Sequence, residues 1–177
     1  SGEVNPSGRL VDLFATDFTK TPSYNNWGKF NYTNADNSPF VEYREGMYNG
    51  YRYYETAYDI EANGFVYGEL DGKGAIKSLG EVAYPFGYGL SYTTFEQKIA
   101  SFSQGDTFSV VVEVTNTGNV PGKEVVQMYA DPPYTTFDEQ MKIEKPTATL
   151  VAFAKTETIE PQATKTVTLT FDKDELA

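Results

Sequence analysis

The sequence predicts a mainly β fold, in which an antiparallel β-sandwich occupies the second half of the chain and follows a loop-rich first half. From about Ser91 onward, apolar and polar residues alternate with a period of two in several short runs. Turn-forming residues separate these runs, and no amphipathic helix is predicted between them. Strands that recur in this way, with only turns between them, are typical of β-sandwiches.

The first half of the chain is rich in Gly, Asn and Tyr and has little periodicity. Asn, Ser, Asp and Pro are abundant over Thr21–Pro39, which predicts a long loop. Val41–Tyr58 is the densest aromatic segment, and its pattern leaves open a short helix around Arg44–Tyr51 or extended pieces. Glu61–Gly80 is again Gly-rich and predicts a loop or a hairpin. Because so loop-rich a stretch does not form a core alone, we interpret it as the tail of a larger domain.

Four strands of the second half are read directly from the alternation. About five strands are counted in all, against the roughly seven of a complete sandwich of this kind. The sandwich is therefore expected either to lack a strand or to borrow an edge from the first half. The second strand is expected to end at Asp131-Pro132-Pro133, since Pro cannot continue a ladder. The four runs are Phe108–Thr115, Glu124–Ala130, Leu150–Thr158 and Thr164–Phe171.

Composition excludes several classes of function. The formal net charge is -11 and the isoelectric point is about 4.4, so nucleic acid and anionic membrane surfaces are repelled on average, and neither is an expected partner. No apolar run approaches the roughly 20 residues that span a bilayer. A neutral substrate such as a sugar is compatible with this charge.

The chain contains no Cys and no His, which bears on both metals and catalysis. Zinc, copper and iron–sulfur sites depend on these residues, so no metal site and no cofactor are predicted. Ser-His-Asp and Cys-His catalysis are excluded in their usual form, which leaves acid/base chemistry to Asp, Glu, Tyr or Lys. The absence of Cys fits both the bacterial cytosol and secreted bacterial enzymes, so the localisation stays open.

Six blocks of sequence carry a resemblance that covers nearly the whole chain. Their order and spacing resemble those of family 3 glycoside hydrolases of the β-glucosidase type. The blocks are Gly2–Leu10, Glu45–Tyr54, Tyr84–Phe95, Val114–Gly118, Gly122–Tyr129 and Leu150–Lys155.

The resemblance implies a division of the chain into two domains. In that family a barrel carries an Asp nucleophile, an α/β sandwich domain carries the acid/base Glu, and a fibronectin type III-like domain often follows. Residues 1–90 would be the C-terminal end of the α/β domain with a linker. Residues 91–177 would be the fibronectin type III-like β-sandwich, without its last strand or strands. No catalytic residue is carried over, because the Asp and the Glu would both lie outside this chain.

The resemblance also implies a function. The parent enzyme would be a retaining bacterial β-glucosidase acting on β-glycosides, and this chain, inactive alone, would serve as scaffold and active-site rim. Its partners would be the remaining catalytic domains and β-linked saccharides. The alternative is a non-catalytic carbohydrate-binding or structural fibronectin-like module.

Acidic residues cluster in the Tyr-rich segment, and a carboxylate pair among them would suit a retaining glycosidase, which needs two such groups about 5 Å apart. We favour the structural interpretation, a solvated acidic face with Glu45 paired to Arg52, because no spacing here is diagnostic. The residues are Glu42, Glu45, Glu55, Asp59 and Glu61.

Aromatic residues supply the candidate substrate-binding positions, Trp27, Tyr43 and Tyr48. An aromatic face can stack on the apolar face of a pyranose while a Tyr hydroxyl bonds to sugar hydroxyls. The competing hypothesis is that these rings, together with Tyr51, Tyr53 and Tyr54, pack an interface between domains.

Two further charged positions are given structural interpretations. Arg9 is expected to be buried in a bidentate pair with a carboxylate. Asp131 and Asp138 flank a Pro-rich loop, but they are too few ligands for a calcium site.

Overall fold

The computed structural model of the chain describes residues 3–27, 36, 38, 40, 43–62 and 81–176, and for residues 25, 27, 58–62 and 176 it describes the backbone alone. Two compact units are formed. The first comprises Ser1–Leu10, Gly87–Ala130 and Thr149–Ala177, and the second comprises Val11–Phe86 and Asp131–Ala148. A domain boundary near residue 90 stays a prediction.

The first unit is an antiparallel β-sandwich, as predicted. One sheet has the order β3-β4-β7, with β3 at Phe95–Ser103, β4 at Thr107–Asn116 and β7 at Thr164–Asp172. The other sheet pairs β5 at Val125–Ala130 with β6 at Thr149–Lys155. Within the described part of the chain the sandwich thus has five strands, which matches the expected count.

The core of the sandwich draws side chains from both sheets. Alternate residues of β4 are buried, because a strand points successive side chains to opposite faces. Val110, Val112 and Val114 pack with Leu169 of β7 and Val126 of β5. Burying each such aliphatic side chain stabilises the fold by roughly 1.5–3 kcal/mol, so this contact between the sheets provides much of the driving force for folding.

Strand β3 is the strand that the sequence analysis leaves unassigned. Its register against β4 shifts between Ile99 and Ser101, so a bulge interrupts the alternation in the sequence. Ile99 and Phe102 lie opposite Val112 and Val110 and therefore share their face of the sheet. They are nevertheless 66% and 58% exposed, so the described part of the sandwich leaves this edge of its inner face uncovered.

A buried amide organises the turn that leaves β4. The Asn116 side-chain oxygen accepts hydrogen bonds from the Thr93 hydroxyl at 2.7 Å and from the Gly118 amide at 3.1 Å. Its Nδ2 donates to the carbonyls of Val120 and Ile159 at 2.8 and 2.9 Å. A side chain at position 118 would meet Thr93 Oγ1 at 2.2 Å, which explains the glycine in this turn.

The second unit holds short elements around a small core. Strands β1 (Phe14–Ala15) and β2 (Val82–Tyr84) pair antiparallel. Its helices are α1 (Tyr24–Trp27), α2 (Gly50–Ala62) and α3 (Thr136–Met141), and a 3-10 turn spans Phe18–Lys20. Tyr54 and Val82 form its buried core. None of the helices in the described part is long and apolar enough to cross a membrane.

The helices correct two expectations from the sequence. The aromatic segment does form a helix, but it begins at Gly50 rather than around Arg44, because Gly46 and Gly50 adopt positive φ angles of 58° and 52°. The expectation that no helix interrupts the strands was wrong, since α3 lies between β5 and β6. The local cause is a capping box, in which Thr135 and Asp138 each satisfy the other's backbone amide. Strand β5 does end at Ala130, before the two prolines.

Candidate functional site

The larger cavity in the second unit has a volume of about 610 Å³. It is formed by chain segments around β1, by the turns that follow β1 and by the start of α2. Its polar lining residues are Asp12, Thr21, Ser23, Glu45, Asn49 and Gly50, and its apolar ones are Leu13, Phe14, Ala15, Phe18, Pro22, Tyr43 and Tyr54.

Neighbouring rings fix the orientation of two aromatic wall residues. Phe14 pairs with Tyr84 across the β1–β2 ladder, and their rings meet edge to face with centroids 6.3 Å apart. Phe18 starts a 3-10 turn whose N-cap, Asp17, accepts a hydrogen bond from the Thr19 amide at 2.9 Å. The Phe18 ring meets Tyr24 edge to face with centroids 5.3 Å apart.

The charge in this cavity is negative. The Asp12 carboxylate accepts a hydrogen bond from the Leu13 amide at 2.8 Å, and the half-buried Glu45 carboxylate accepts one from Asn26 Nδ2 at 3.0 Å. Asn26, rather than the expected Arg52, is therefore the partner that the described residues provide for Glu45. No Lys, Arg or His occurs among the described residues that line the cavity. An anionic ligand is consequently disfavoured, whereas neutral and cationic ligands are compatible.

A smaller cavity of about 390 Å³ shares Glu45 and Pro22 with the larger one. Its remaining lining residues are Asn26, Arg44, Tyr48 and Tyr53. Because the Glu45 side chain borders both cavities, it is the carboxylate best placed to influence a ligand in either.

The three predicted substrate-binding residues have different positions. Tyr43 lines the larger cavity, and 91% of the residue is exposed, so its ring is accessible to a ligand. Tyr48 lines the smaller cavity. Trp27 ends α1, and its side chain lies outside the described part of the structure. Sugar binding by these residues stays a prediction.

Tyr48 also has a structural contact that the sequence did not predict. Its hydroxyl accepts a hydrogen bond from the Lys145 backbone amide at 2.9 Å, across 97 positions of sequence. The Thr56 hydroxyl likewise accepts one from the Thr147 amide at 3.2 Å. These two bonds hold the segment between β5 and β6 against the helical segment of the second unit.

The other rings of the aromatic segment pack inside the second unit. Tyr51 lies against Phe86 with ring centroids 4.6 Å apart, and Tyr53 meets Tyr54 edge to face at 5.1 Å. Tyr54 is only 2% exposed. These rings therefore contribute to the core of the unit, and Tyr54 and Tyr53 also line the larger and the smaller cavity, respectively.

Of the five acidic residues in the Tyr-rich segment, the structure describes the side chains of Glu45 and Glu55. Burial raises the pKa of the Glu55 carboxyl to about 7, through the cost of desolvating its charged form. Glu42 and the side chains of Asp59 and Glu61 lie outside the described residues. Among the described side chains, no group of three or more acidic residues is placed to hold a metal ion.

Asp138 completes the capping box of α3, whose N-cap is Thr135. Its carboxylate accepts hydrogen bonds from Lys145 Nζ and from the amide and hydroxyl of Thr135, each at 2.7 Å. The Lys145 bond, followed by the two Thr135 bonds, lowers the pKa of Asp138 to about 2. Arg9 does pair with a carboxylate, through its Nη2 and Oε1 of Glu124. Glu124 is only 5% exposed, whereas the Arg9 side chain is 24% exposed and so is not fully buried as expected.

Sequence reasoning missed most of the larger cavity. Asp12, Phe14, Phe18 and Asn49 line it, yet none of them stands in a local motif that indicates a ligand. They come from separate turns and a two-residue strand that converge only on folding. Of the sequence-predicted positions, the described structure brings Tyr43 and Glu45 into this cavity and leaves Tyr48 in the smaller one.

Comparison with known proteins gives consistent matches. Residues 124–177 match the family model of the fibronectin type III-like domain. Over 99% of its length the chain is 35% identical to β-glucosidase A of Butyrivibrio fibrisolvens, and over 97% it is 36% identical to the thermostable β-glucosidase B of Acetivibrio thermocellus. It covers 19% of each relative, so the chain spans about a fifth of the length of these curated relatives.

The solved structures agree with the sequence relatives. β-Glucosidase 3B of Thermotoga neapolitana, determined in complex with α-D-glucose, superposes with a TM-score of 0.74 at 37% identity. The superposition covers 99% of this chain and 20% of that one. The similarity therefore extends to both units of the chain and includes the region of the larger cavity.

Proposed function

Because this chain is a part of a family 3 glycoside hydrolase of the β-glucosidase type and includes its fibronectin type III-like domain, we propose that it acts as a scaffold in that enzyme and forms the rim of its active site. The parent reaction is hydrolysis of β-glycosides with retention, by a nucleophilic carboxylate and an acid/base carboxylate about 5 Å apart. Both carboxylates belong to the other domains of the enzyme, and this chain supplies neither.

The observation that carries this proposal is the extent of the match. β-Glucosidases from separate organisms align with nearly the whole chain, while the chain accounts for only a small share of each. A region of that size, retained with both units, is expected to support the catalytic domains and to contact them.

Polar contacts between distant segments of the first unit support the scaffold role. Arg9 pairs with Glu124 at the start of the matched domain. The Asn5 side-chain oxygen accepts hydrogen bonds from Ser91 Oγ and from the Tyr92 amide, both at 2.9 Å. The N-terminal block is thereby fixed to the sandwich, as a connecting scaffold requires.

The uncovered inner face near Ile99 and Phe102 supports a related proposal about the sandwich. We propose that residues 91–177 take further strands from the parent polypeptide, and that residues 1–90 complete its α/β domain. Apolar side chains on the core face of a sheet are normally covered by the opposing sheet, so their exposure of 66% and 58% indicates room for an added strand.

The test is an assay of the purified chain, its length verified by mass, with a chromogenic aryl β-glucoside. We expect no turnover above buffer, since the proposal assigns both carboxylates of the reaction to other domains of the parent enzyme. Clear turnover that Glu45→Gln or Glu55→Gln abolishes would place the catalytic carboxylates here and overturn the proposal.

A second candidate function is a non-catalytic carbohydrate-binding module. The observation that favours it is the larger cavity, which combines aromatic walls with carboxylate and amide groups. This alternative predicts saturable binding of a soluble β-glucan without hydrolysis, which a titration with the polysaccharide would measure.

A further inference from the structure

We propose that the larger cavity of the second unit is a binding site for a neutral pyranose ring, with Tyr43 and Phe18 as its stacking surface and Asp12, Glu45 and Asn49 as its polar contacts. The inference deepens the rim role proposed above and rests on it for the identity of the sugar as a β-linked glucoside. It assigns the contact to one cavity, and it adds Asp12, Phe18 and Asn49 to the Tyr43 and Glu45 positions that the sequence already suggests.

Size and composition meet the ordinary requirements of a small-molecule site. A volume of about 610 Å³ lies within the roughly 300–1,000 Å³ of ligand pockets. Such pockets have mostly apolar and aromatic walls with a few polar groups that orient the ligand. Here the aromatic side chains of Phe14, Phe18 and Tyr43 are exposed by 55%, 52% and 91%, so their faces are accessible.

The polar groups match a ligand with many hydroxyls. Asp12 and Glu45 are pure hydrogen-bond acceptors, and sugar hydroxyls donate readily. The Asn49 amide both donates and accepts, and the hydroxyl of Ser23 lines the same space. A polyhydroxylated ring uses donors and acceptors in this mixture, whereas a purely apolar ligand would leave the carboxylates without compensation for their lost water.

The charge of the cavity further restricts the class of ligand that it can bind. Among the described lining residues, the two side chains that are charged at neutral pH, Asp12 and Glu45, are both acidic, and the whole chain carries a net charge of -11. A phosphorylated or carboxylated sugar would be repelled by both, so an uncharged sugar is the ligand class that this site accepts.

The walls are held in place by contacts behind them. Tyr84 orients Phe14, Tyr24 orients Phe18, and Asn26 holds the Glu45 carboxylate. A site fixed by supporting residues loses less entropy when a ligand binds. The side of the cavity that Phe14, Phe18 and Glu45 form is therefore preorganised for a ligand.

The test is a titration of the full 177-residue chain with cellobiose, followed by ligand-observed NMR or calorimetry. We expect saturable binding that Tyr43→Ala weakens about fivefold or more, because an exposed stacking ring contributes to ligand contact and not to the core. The matched control is Tyr134→Ala, at a tyrosine that is 58% exposed and outside the cavity, and it should leave binding unchanged.

A second variant and a competitor make the outcome decisive. Phe18→Ala should weaken cellobiose binding as Tyr43→Ala does, with folding of each variant verified by its thermal melt. Absence of cellobiose binding, equal binding by Tyr43→Ala and the parent chain, or displacement of cellobiose by tetramethylammonium at lower concentration would each overturn the proposal. Displacement by tetramethylammonium would show that the cavity is a cation site.

This result is separable from that of the hydrolysis assay. Cellobiose binding without turnover of the aryl glucoside supports both proposals. Turnover would overturn the scaffold role, and a failed titration with no turnover would overturn only the cavity assignment.

Discussion

At the scale of single residues, the carboxyl of Glu55 shows how burial changes a side chain that the sequence presents as ordinary. It lies on α2 in a segment with several acidic residues. Its half-buried position raises the pKa to about 7 from 4.5, and desolvation is the cause. An acid with a raised folded-state pKa is neutral in both states below about pH 4.5, and its cost to stability grows as the pH rises toward 7.

Glu55→Gln is therefore expected to stabilise the chain. The gain in unfolding free energy should be absent near pH 4, should appear as the pH rises above 4.5, and should level off above pH 7. Because the side chain is partly solvated, we expect at most about 1 kcal/mol at pH 7.5. Urea unfolding at several pH values measures it, with the exposed Glu157→Gln as control. A gain that does not change with pH would contradict this account.

At the scale of elements, the connection between β5 and β6 is held in place by hydrogen bonds. It leaves the sandwich, forms α3 and belongs to the second unit over Asp131–Ala148. Lys145 anchors it twice, through Nζ to Asp138 and through its amide to the Tyr48 hydroxyl. The left-handed Lys142, with φ at 54°, ends the helix.

Thr135→Ala should remove the cap of α3 and destabilise the second unit. The Thr135 hydroxyl accepts a hydrogen bond from the Asp138 amide and donates one to the Asp138 carboxylate. Without it the amide loses its partner, whereas the carboxylate keeps its bonds from Lys145 Nζ and the Thr135 amide. An N-cap replacement typically costs about 1 kcal/mol. Hydrogen exchange of the amides in Thr136–Met141 should accelerate.

The neighbouring Thr136→Ala is the control for this prediction, since its side chain is exposed and follows the cap by one position. It should leave the exchange rates and the unfolding free energy nearly unchanged. Equal effects of the two substitutions would show that helix propensity, and not the cap, governs α3.

At the scale of the whole molecule, net charge opposes association through exposed apolar residues. The chain carries a net charge of -11 at pH 7 and has an isoelectric point of about 4.4. Ile99 and Phe102 are exposed on the sandwich, and Phe137 and Met141 are exposed on α3. Repulsion between copies keeps these side chains apart at neutral pH and vanishes near the isoelectric point.

We therefore expect a solubility minimum and the greatest self-association near pH 4.4. Light scattering between pH 3.5 and 8 measures it, and raising the salt at pH 7 should increase association by screening the repulsion. The variant Phe102→Ser should associate less at pH 4.4 than the parent chain. Association that is strongest at neutral pH would contradict this explanation.

The fold followed from the sequence wherever its signals are local. The alternation over β4 and β7 and the prolines after Ala130 each act within a few residues. The bulge concealed β3, and the positive φ angles of Gly46 and Gly50 displaced the start of α2. The bulge and the positive φ angles, which made the structure differ from the prediction, are features of backbone geometry that residue type specifies only weakly.

The sequence by itself determined the sandwich class, the resemblance to β-glucosidases and the exclusion of His and Cys chemistry, because periodicity, motif order and composition are properties of the linear chain. Only the tertiary structure decided that Tyr48 holds Lys145, that Glu45 partners Asn26, and that Asp12, Phe18 and Tyr43 line one cavity. These contacts join distant segments, and the free energy that selects them comes from packing and burial that no single segment contains.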